Sequence, residues 1–177
     1  MAHDLFSSLD SFDQVADVGG LMVRDGTGEY RLAEADEVLS AAQRLLASRM
    51  RGHCALNSPG LVKDFLRTRL AGLPHEVFAV VHLDSQLQVI DYVELFRGTV
   101  AATAVYPREV VKDALLKSSS AVVLVHNHPS GVAEPSHADE VLTKNLKQAL
   151  QLIDVRVIDH LIVAGPTVLS FAERGLI

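Results

Sequence analysis

The apolar positions after His75 fall into short blocks whose spacing changes along the chain. Val77-Phe78-Ala79-Val80-Val81 is a continuous run and Leu87 to Glu94 partly alternates, which predicts two strands joined near Asp84-Ser85-Gln86. Ala121 to Val125 is short and rich in β-branched residues, so it predicts a buried strand rather than a helix. Val155 to Ile158, Leu161 to Val163 and Val168 to Phe171 predict the remaining strands. Helical stretches lie between these blocks. Pro107-Arg108-Glu109 opens one, with Val110, Val111, Ala114 and Leu115 as its apolar positions, and Ser136-His137-Ala138-Asp139 starts another that runs to about Leu152. The expected fold is a mixed α/β sheet with helices packed on it.

Upstream, Val38, Leu39, Ala42, Leu45, Leu46 and Met50 recur at intervals of three and four, which predicts an amphipathic helix over Ala33 to Met50. Its apolar face is expected to pack against its own domain. Asn57-Ser58-Pro59 opens a second helix, with Ser58 as a side-chain cap and proline at the first helical position, and Gly72-Leu73-Pro74 closes it. Met1 to Leu32 mixes Asp, Ser and Gly with scattered hydrophobics, and Asp25 to Glu29 reads as a turn before Tyr30-Arg31-Leu32. The expected organisation is an extension over 1–55, a mobile segment plus the amphipathic helix, followed by one compact domain over 56–177.

Composition narrows the function classes. With 177 residues, 49% of them hydrophobic, the chain supports one substantial core. A formal charge of −6 disfavours nucleic acid as a partner, because non-specific affinity for phosphate backbones comes from Lys and Arg. The single cysteine, Cys54, has no internal disulfide partner, and the start of the chain lacks a basic region followed by an apolar stretch, so a reducing cytoplasm is the expected compartment. No apolar run is long enough for a transmembrane helix, and no membrane association is expected.

The candidate chemistry lies after the buried strand at Ala121. His126 and His128 are two apart, so the strand period puts both imidazoles on one side of the chain. Asp139 follows across a loop restricted by Pro129, Gly131 and Pro135, and it falls in the first turn of the next helix. Two imidazoles and a carboxylate suit one zinc ion and leave a fourth tetrahedral position for water, the arrangement of a catalytic rather than a closed structural site. Bland readings stand beside this one. A lone His-x-His at a strand end is often merely solvated or hydrogen-bonded, and Ser136-x-x-Asp139 has the form of a helix-capping box. Capping by Ser136 is compatible with a role toward an oxyanion, whereas Asp139 is expected to do only one of the two jobs well.

His126-Asn127-His128-Pro129-Ser130-Gly131, followed by Pro135-Ser136 and Asp139, resembles the JAMM motif of zinc metalloproteases in the MPN or JAB superfamily. Gly98-Thr99, Tyr106-Pro107-Arg108-Glu109 and Asp159-His160 further resemble its bacterial RadC branch, and the likeness covers about Leu56 to Ile177, roughly two thirds of the chain. The resemblance implies a cytidine-deaminase-like α/β fold, zinc held by His126, His128 and Asp139, a glutamate general base, and Ser136 as the oxyanion-stabilising serine. The motif places the glutamate upstream, near the first core strand. Glu76 is favoured, and Glu94, before Leu95-Phe96-Arg97-Gly98, is the competitor.

The chain departs from the deubiquitinating members at Asn127, where those carry Ser or Thr, and it lacks their insertion loops, so a ubiquitin substrate is not implied. It departs from full-length RadC proteins in lacking the helical context of a helix-hairpin-helix around Gly19-Gly20 and Gly26-x-Gly28. The expected function is hydrolysis of a peptide, isopeptide or other amide bond in a peptide or protein substrate. The alternative is a non-catalytic or DNA-metabolism-associated adaptor on the same fold. Arg108 and Lys112 read as a solvated helix face, His137 as ordinary polar packing and Cys54 as a plain small residue. For His160, support of a ligand with Asp159 fixing its tautomer is weighed against ordinary polar packing.

Overall fold

The structure, a computed structural model, describes residues 20–51, 58–98 and 104–177. The chain divides into two compact units, Met1–Leu45 and Leu46–Ile177. In the first, β1 (Met22–Arg24) and β2 (Tyr30–Leu32) form an antiparallel hairpin. The Asp25 carboxylate closes its turn by accepting from the Thr27 and Glu29 amides and the Thr27 hydroxyl. Helix α1 (Ala35–Met50) begins in this unit and ends in the second.

The second unit continues with α2 (Pro59–Leu70), β3 (Val77–Leu83), β4 (Val89–Arg97), α3 (Pro107–Leu116), β5 (Ala121–Asn127), α4 (His137–Gln151), β6 (Arg156–Ala164) and β7 (Thr167–Ser170). The five strands β3 to β7 form one mixed sheet in the order β4-β3-β5-β6-β7. Only the β5–β6 pair is parallel; β3 pairs antiparallel with both β4 and β5, and β6 with β7. This is the mixed α/β architecture expected of a JAB domain.

Strand alternation sends successive side chains to opposite faces and so divides the core. On one face Val77, Ala79, Val81, Val123 and Val125 pack with Phe65, Leu66 and Leu70 of α2 and with Met50. On the other, Phe78, Val80, Val122 and Leu124 pack with Val110 and Ala114 of α3 and Leu146 and Leu150 of α4. Every residue of β3 and of β5 is buried, as their continuous apolar runs require. Among the described residues, no helix is long and apolar enough to cross a membrane.

Two local expectations are corrected, both in the second unit. The last turn of α1, Leu46, Ala47 and Met50, packs in that unit's core. Ser58 gives no side-chain cap to α2, because its backbone (φ −137°, ψ 52°) leaves the extended region from which a cap hydroxyl reaches the first amides; Pro59 alone opens the helix. Finally, the segments 155–158 and 161–163 are parts of a single strand. The Asp159 carboxylate accepts from the His160 amide, the Ala172 amide and the Ser170 hydroxyl, so this polar pair is satisfied inside β6. A shift of register between Val122 and Val123 accommodates it.

Asn127, the last residue of β5, is 1% exposed and fastens the start of β3. Its Oδ1 accepts from the Val77 amide at 2.7 Å while its Nδ2 donates to the His75 carbonyl at 3.0 Å, bracketing Glu76. The Gly98 amide donates to the Glu76 carbonyl at 2.8 Å from the end of β4. The carboxamide serves the two backbone groups from two separate atoms, whereas a Ser or Thr hydroxyl has a single oxygen for both. Replacing Asn127→Ala strands a buried amide and carbonyl and is expected to lower unfolding stability by about 1–3 kcal/mol, as read from denaturant unfolding. Protection of the Val77 amide in hydrogen exchange is expected to fall with it.

Candidate metal centre

His126 lies in β5 on the same face as Leu124, and His128 follows one period later, just beyond the strand end. The His128 amide donates to the Val163 carbonyl at 2.8 Å, which continues the β5–β6 ladder and fixes where that imidazole starts. The chain then turns back at Gly131, whose φ of +76° favours glycine. Helix α4 follows with Ser136 as its N-cap, and the expected capping box is complete: Asp139 N donates to Ser136 Oγ, and Ser136 N donates to Asp139 Oδ2 at 2.8 Å.

These elements bring one ligand atom each from His126, His128 and Asp139 to within 4.8 Å of one another, a group able to hold a metal ion. His126 Nε2 is 2.9 Å from His128 Nε2 and 3.2 Å from Asp139 Oδ1, and His128 Nε2 is 3.6 Å from Asp139 Oδ2. The two nitrogens and one oxygen are the donor set of a borderline metal such as zinc, so the residues present fit such an ion. All three side chains are between 9% and 15% exposed, so they are shielded yet reachable from one side.

Asp139 divides its two oxygens between the cap and the histidines. Its Oδ2 serves the cap, accepting from Ser136 Oγ at 2.6 Å as well as from the backbone, and its Oδ1 is turned to His126. A carboxylate has two oxygens, and the helix start divides them. Burial works against the charged form of Asp139, but hydrogen bonds with His126 and His128, their charge and the Ser136 hydroxyl outweigh it and hold the carboxyl well below the usual carboxylate range. Reciprocally, the hydrogen bond with Asp139 raises His128 above an ordinary imidazole against the opposing effect of burial.

Behind the ligands lies a second layer. His128 Nδ1 is 2.7 Å from the Val132 carbonyl. His126 Nδ1 is 2.8 Å from His160 Nε2, and His160 Nδ1 is 2.6 Å from Thr143 Oγ1. His160 is fully buried between Phe78 and Phe171, and burial, with His126 beside it, pushes its pKa well below the ordinary value. Its imidazole partners are therefore His126 and Thr143. The neighbouring Asp159 carboxylate, weighed as a partner for this ring, is spent on backbone amides and Ser170.

The two candidate glutamates separate by face. Continuing the Phe78–His126 pairing by one more pair on that face places Glu76 opposite His128, and the Glu76 charge adds to the upward shift of His128. Glu94 pairs with Ala79, whose side chain is on the α2 face. Its Oε1 is held by Arg69 Nε at 2.9 Å and its Oε2 lies 3.6 Å from Arg97. Arg108 and Lys112 pair with Glu109 on an exposed helix turn and His137 is exposed, while Cys54 lies outside the described residues. Thr143 escaped the sequence reading; its one signal is that it lies four residues after Asp139, on the same helical face.

Comparison with known proteins agrees with this geometry. The family model of the RadC-like JAB domain matches residues 56–176. A UPF0758 protein of Methylibium petroleiphilum is 51% identical over 93% of this chain and 78% of its own length. One of Leptothrix cholodnii is 52% identical over 92% and 73%, and one of Aromatoleum aromaticum is 49% identical over 100% and 80%. With a domain match over most of its length and relatives this similar, the chain belongs to the RadC-like JAB domain family.

Proposed function

We propose that the protein is a zinc-dependent hydrolase of the JAMM type, which uses activated water to cleave a peptide, isopeptide or other amide bond in a peptide or protein. The observation that carries this reading is the convergence of His126, His128 and Asp139 at the end of a buried strand, with Glu76 just before the start of the neighbouring strand β3. Held by those three residues, zinc would supply a Lewis acid that lowers the pKa of water to about 7.

The chain's own residues carry the proton transfers. Glu76 accepts the proton that the attacking water loses and delivers it to the amide nitrogen as the C–N bond breaks, so that an amine leaves and the acyl carbon keeps the water oxygen. Asn127, by holding the backbone on either side of Glu76, fixes where that side chain starts. The Ser136 hydroxyl gives its one proton to Asp139 Oδ2 at 2.6 Å. A cation held by these residues would draw on the Asp139 charge, and the Ser136 hydroxyl would then be available to donate to the developing oxyanion, where a positioned donor is worth several kcal/mol, roughly 2.7–4 in other hydrolases. Glu94, tied to Arg69 and Arg97 on the opposite face, has no part in this scheme.

Elemental mass spectrometry on protein purified without added metal is expected to find one zinc per chain, absent from His128→Ala and Asp139→Ala. No metal in the wild-type protein, even after zinc addition and dialysis, would overturn the hydrolase reading in favour of an adaptor on this fold. In a peptide-library assay, Glu76→Gln is expected to keep its zinc and to lose at least about 100-fold in rate, the lower end of what general acid–base catalysis contributes. Full activity in that variant would show that the base is another group.

A further inference from the structure

We propose that Tyr106 and Arg108 form a specificity subsite that takes an acidic side chain of the peptide substrate, several residues to one side of the scissile amide. The proposal rests on the reading of the centre as a peptide hydrolase and names a feature of its substrate.

Strand register puts this subsite at the same end of the sheet as His126. Phe78 of β3 pairs with His126 of β5 on one side and with Phe96 of β4 on the other, so the three side chains stand in a row on one face. The Phe78 and Phe96 ring centroids are 6.2 Å apart, and Phe96 is 6.0 Å from Tyr106, the residue just before α3. Phe78 is buried and Tyr106 is 53% exposed, so the row of rings rises from beside His126 to the surface. The guanidinium of Arg108 lies over the Tyr106 ring, 5.8 Å from its centroid.

Two strand spacings of about 4.8 Å each and one ring contact put Tyr106 roughly 12–16 Å from His126. An extended chain advances about 3.3–3.6 Å per residue, so a peptide with its amide at the centre brings the side chain about three to five residues away to Tyr106. The ring offers that side chain an apolar face, and the cation stacked on it selects the charge.

Arg108 is 82% exposed, and Lys112, one helical turn on, is 69% exposed. Both lean on one carboxylate, Glu109, at 3.3 Å and 3.6 Å. Ion pairs this exposed are weak, so an incoming carboxylate meets a surplus of one positive charge and displaces nothing strongly held. The Arg108 contact runs through Nε, and the terminal nitrogens of the guanidinium remain for a second carboxylate. The local surplus is opposite in sign to the formal charge of the chain, −6.

The test uses the full chain after zinc addition, carrying Glu76→Gln so that a bound peptide is not turned over. The probes are three alanine–serine decapeptides that differ at one central position, which holds Glu, Gln or Lys. Binding is read by NMR titration, following the Tyr106 and Arg108 signals. The Glu peptide is expected to bind about two- to fivefold more tightly than the Gln peptide, the range of one exposed ion pair, and the Lys peptide most weakly. Arg108→Ala is expected to abolish this order and Arg108→Glu to reverse it, with the Lys peptide then binding best. Tyr106→Ala is expected to shrink the preference for Glu, because the guanidinium loses its stacking partner. Residues that served only the fold of this surface would not reverse a charge preference.

No binding of the Glu peptide, equal affinity for the Glu and Gln peptides, or a preference that survives Arg108→Ala and Arg108→Glu would overturn the proposal. The hydrolase reading is decided apart from this, by cleavage in a peptide library with Glu76 intact. Cleavage indifferent to acidic residues about three to five positions from the cut would sink the subsite and leave that reading standing. A chain that prefers the Glu peptide and cleaves nothing would sink the hydrolase reading and keep Tyr106 and Arg108 as a binding site for acidic peptide.

Discussion

The candidate metal centre depends on one constraint of topology, the mixed pairing of β5. On one side β5 runs antiparallel to β3, which sets the start of β3, and Glu76 just before it, beside the end of β5. On the other side it runs parallel to β6, and a parallel neighbour cannot be reached by a tight turn. The chain has to travel back along the sheet before β6 can begin, and α4 makes that journey. Its first turn therefore stands over the C-terminal end of β5, which is where the two histidines emerge. Asp139 returns to His126 because of the crossover. An antiparallel β5–β6 hairpin would have placed no helix start there.

The same first turn explains how one carboxylate can cap a helix and still face the two histidines. The Ser136 amide and hydroxyl both donate to Oδ2 of Asp139, which leaves Oδ1 beside His126. The cap thus positions the carboxylate as well as starting the helix. It also helps keep Asp139 ionised against the cost of burial, since hydrogen bonds to the charged form and the two imidazoles all favour the carboxylate. The price of burying a charge beside the core is met by groups that the helix start supplies anyway.

What was legible in the sequence follows from this. Period-two spacing put His126 and His128 on one side, apolar runs marked β3 and β5, and the Ser136-x-x-Asp139 pattern marked a helix start; all of these are local signals. Strand pairing is not local. Glu76 and Glu94 both border apolar strands, and only the register of β3 against β4 and β5 shows that they face opposite sides. The sequence marks His160 and Asn127 without showing what they touch. Their partners, His126 and the backbone around Glu76, lie thirty-four and about fifty residues away.

The buried polar groups behind the ligands follow the logic of networks in low dielectric. A half-satisfied network at this depth would cost about 1–3 kcal/mol for each stranded donor or acceptor. Thr143, His160 and His126 avoid this by ending on a backbone carbonyl, a partner that cannot change its protonation or rotate away. A carboxylate in the position of Thr143 would have introduced a second negative group behind Asp139. A neutral hydroxyl, buried and anchored one helical turn beyond Asp139, gives the buried His160 ring a partner without adding charge, while Asp159, although adjacent to His160 in sequence, is turned to the backbone.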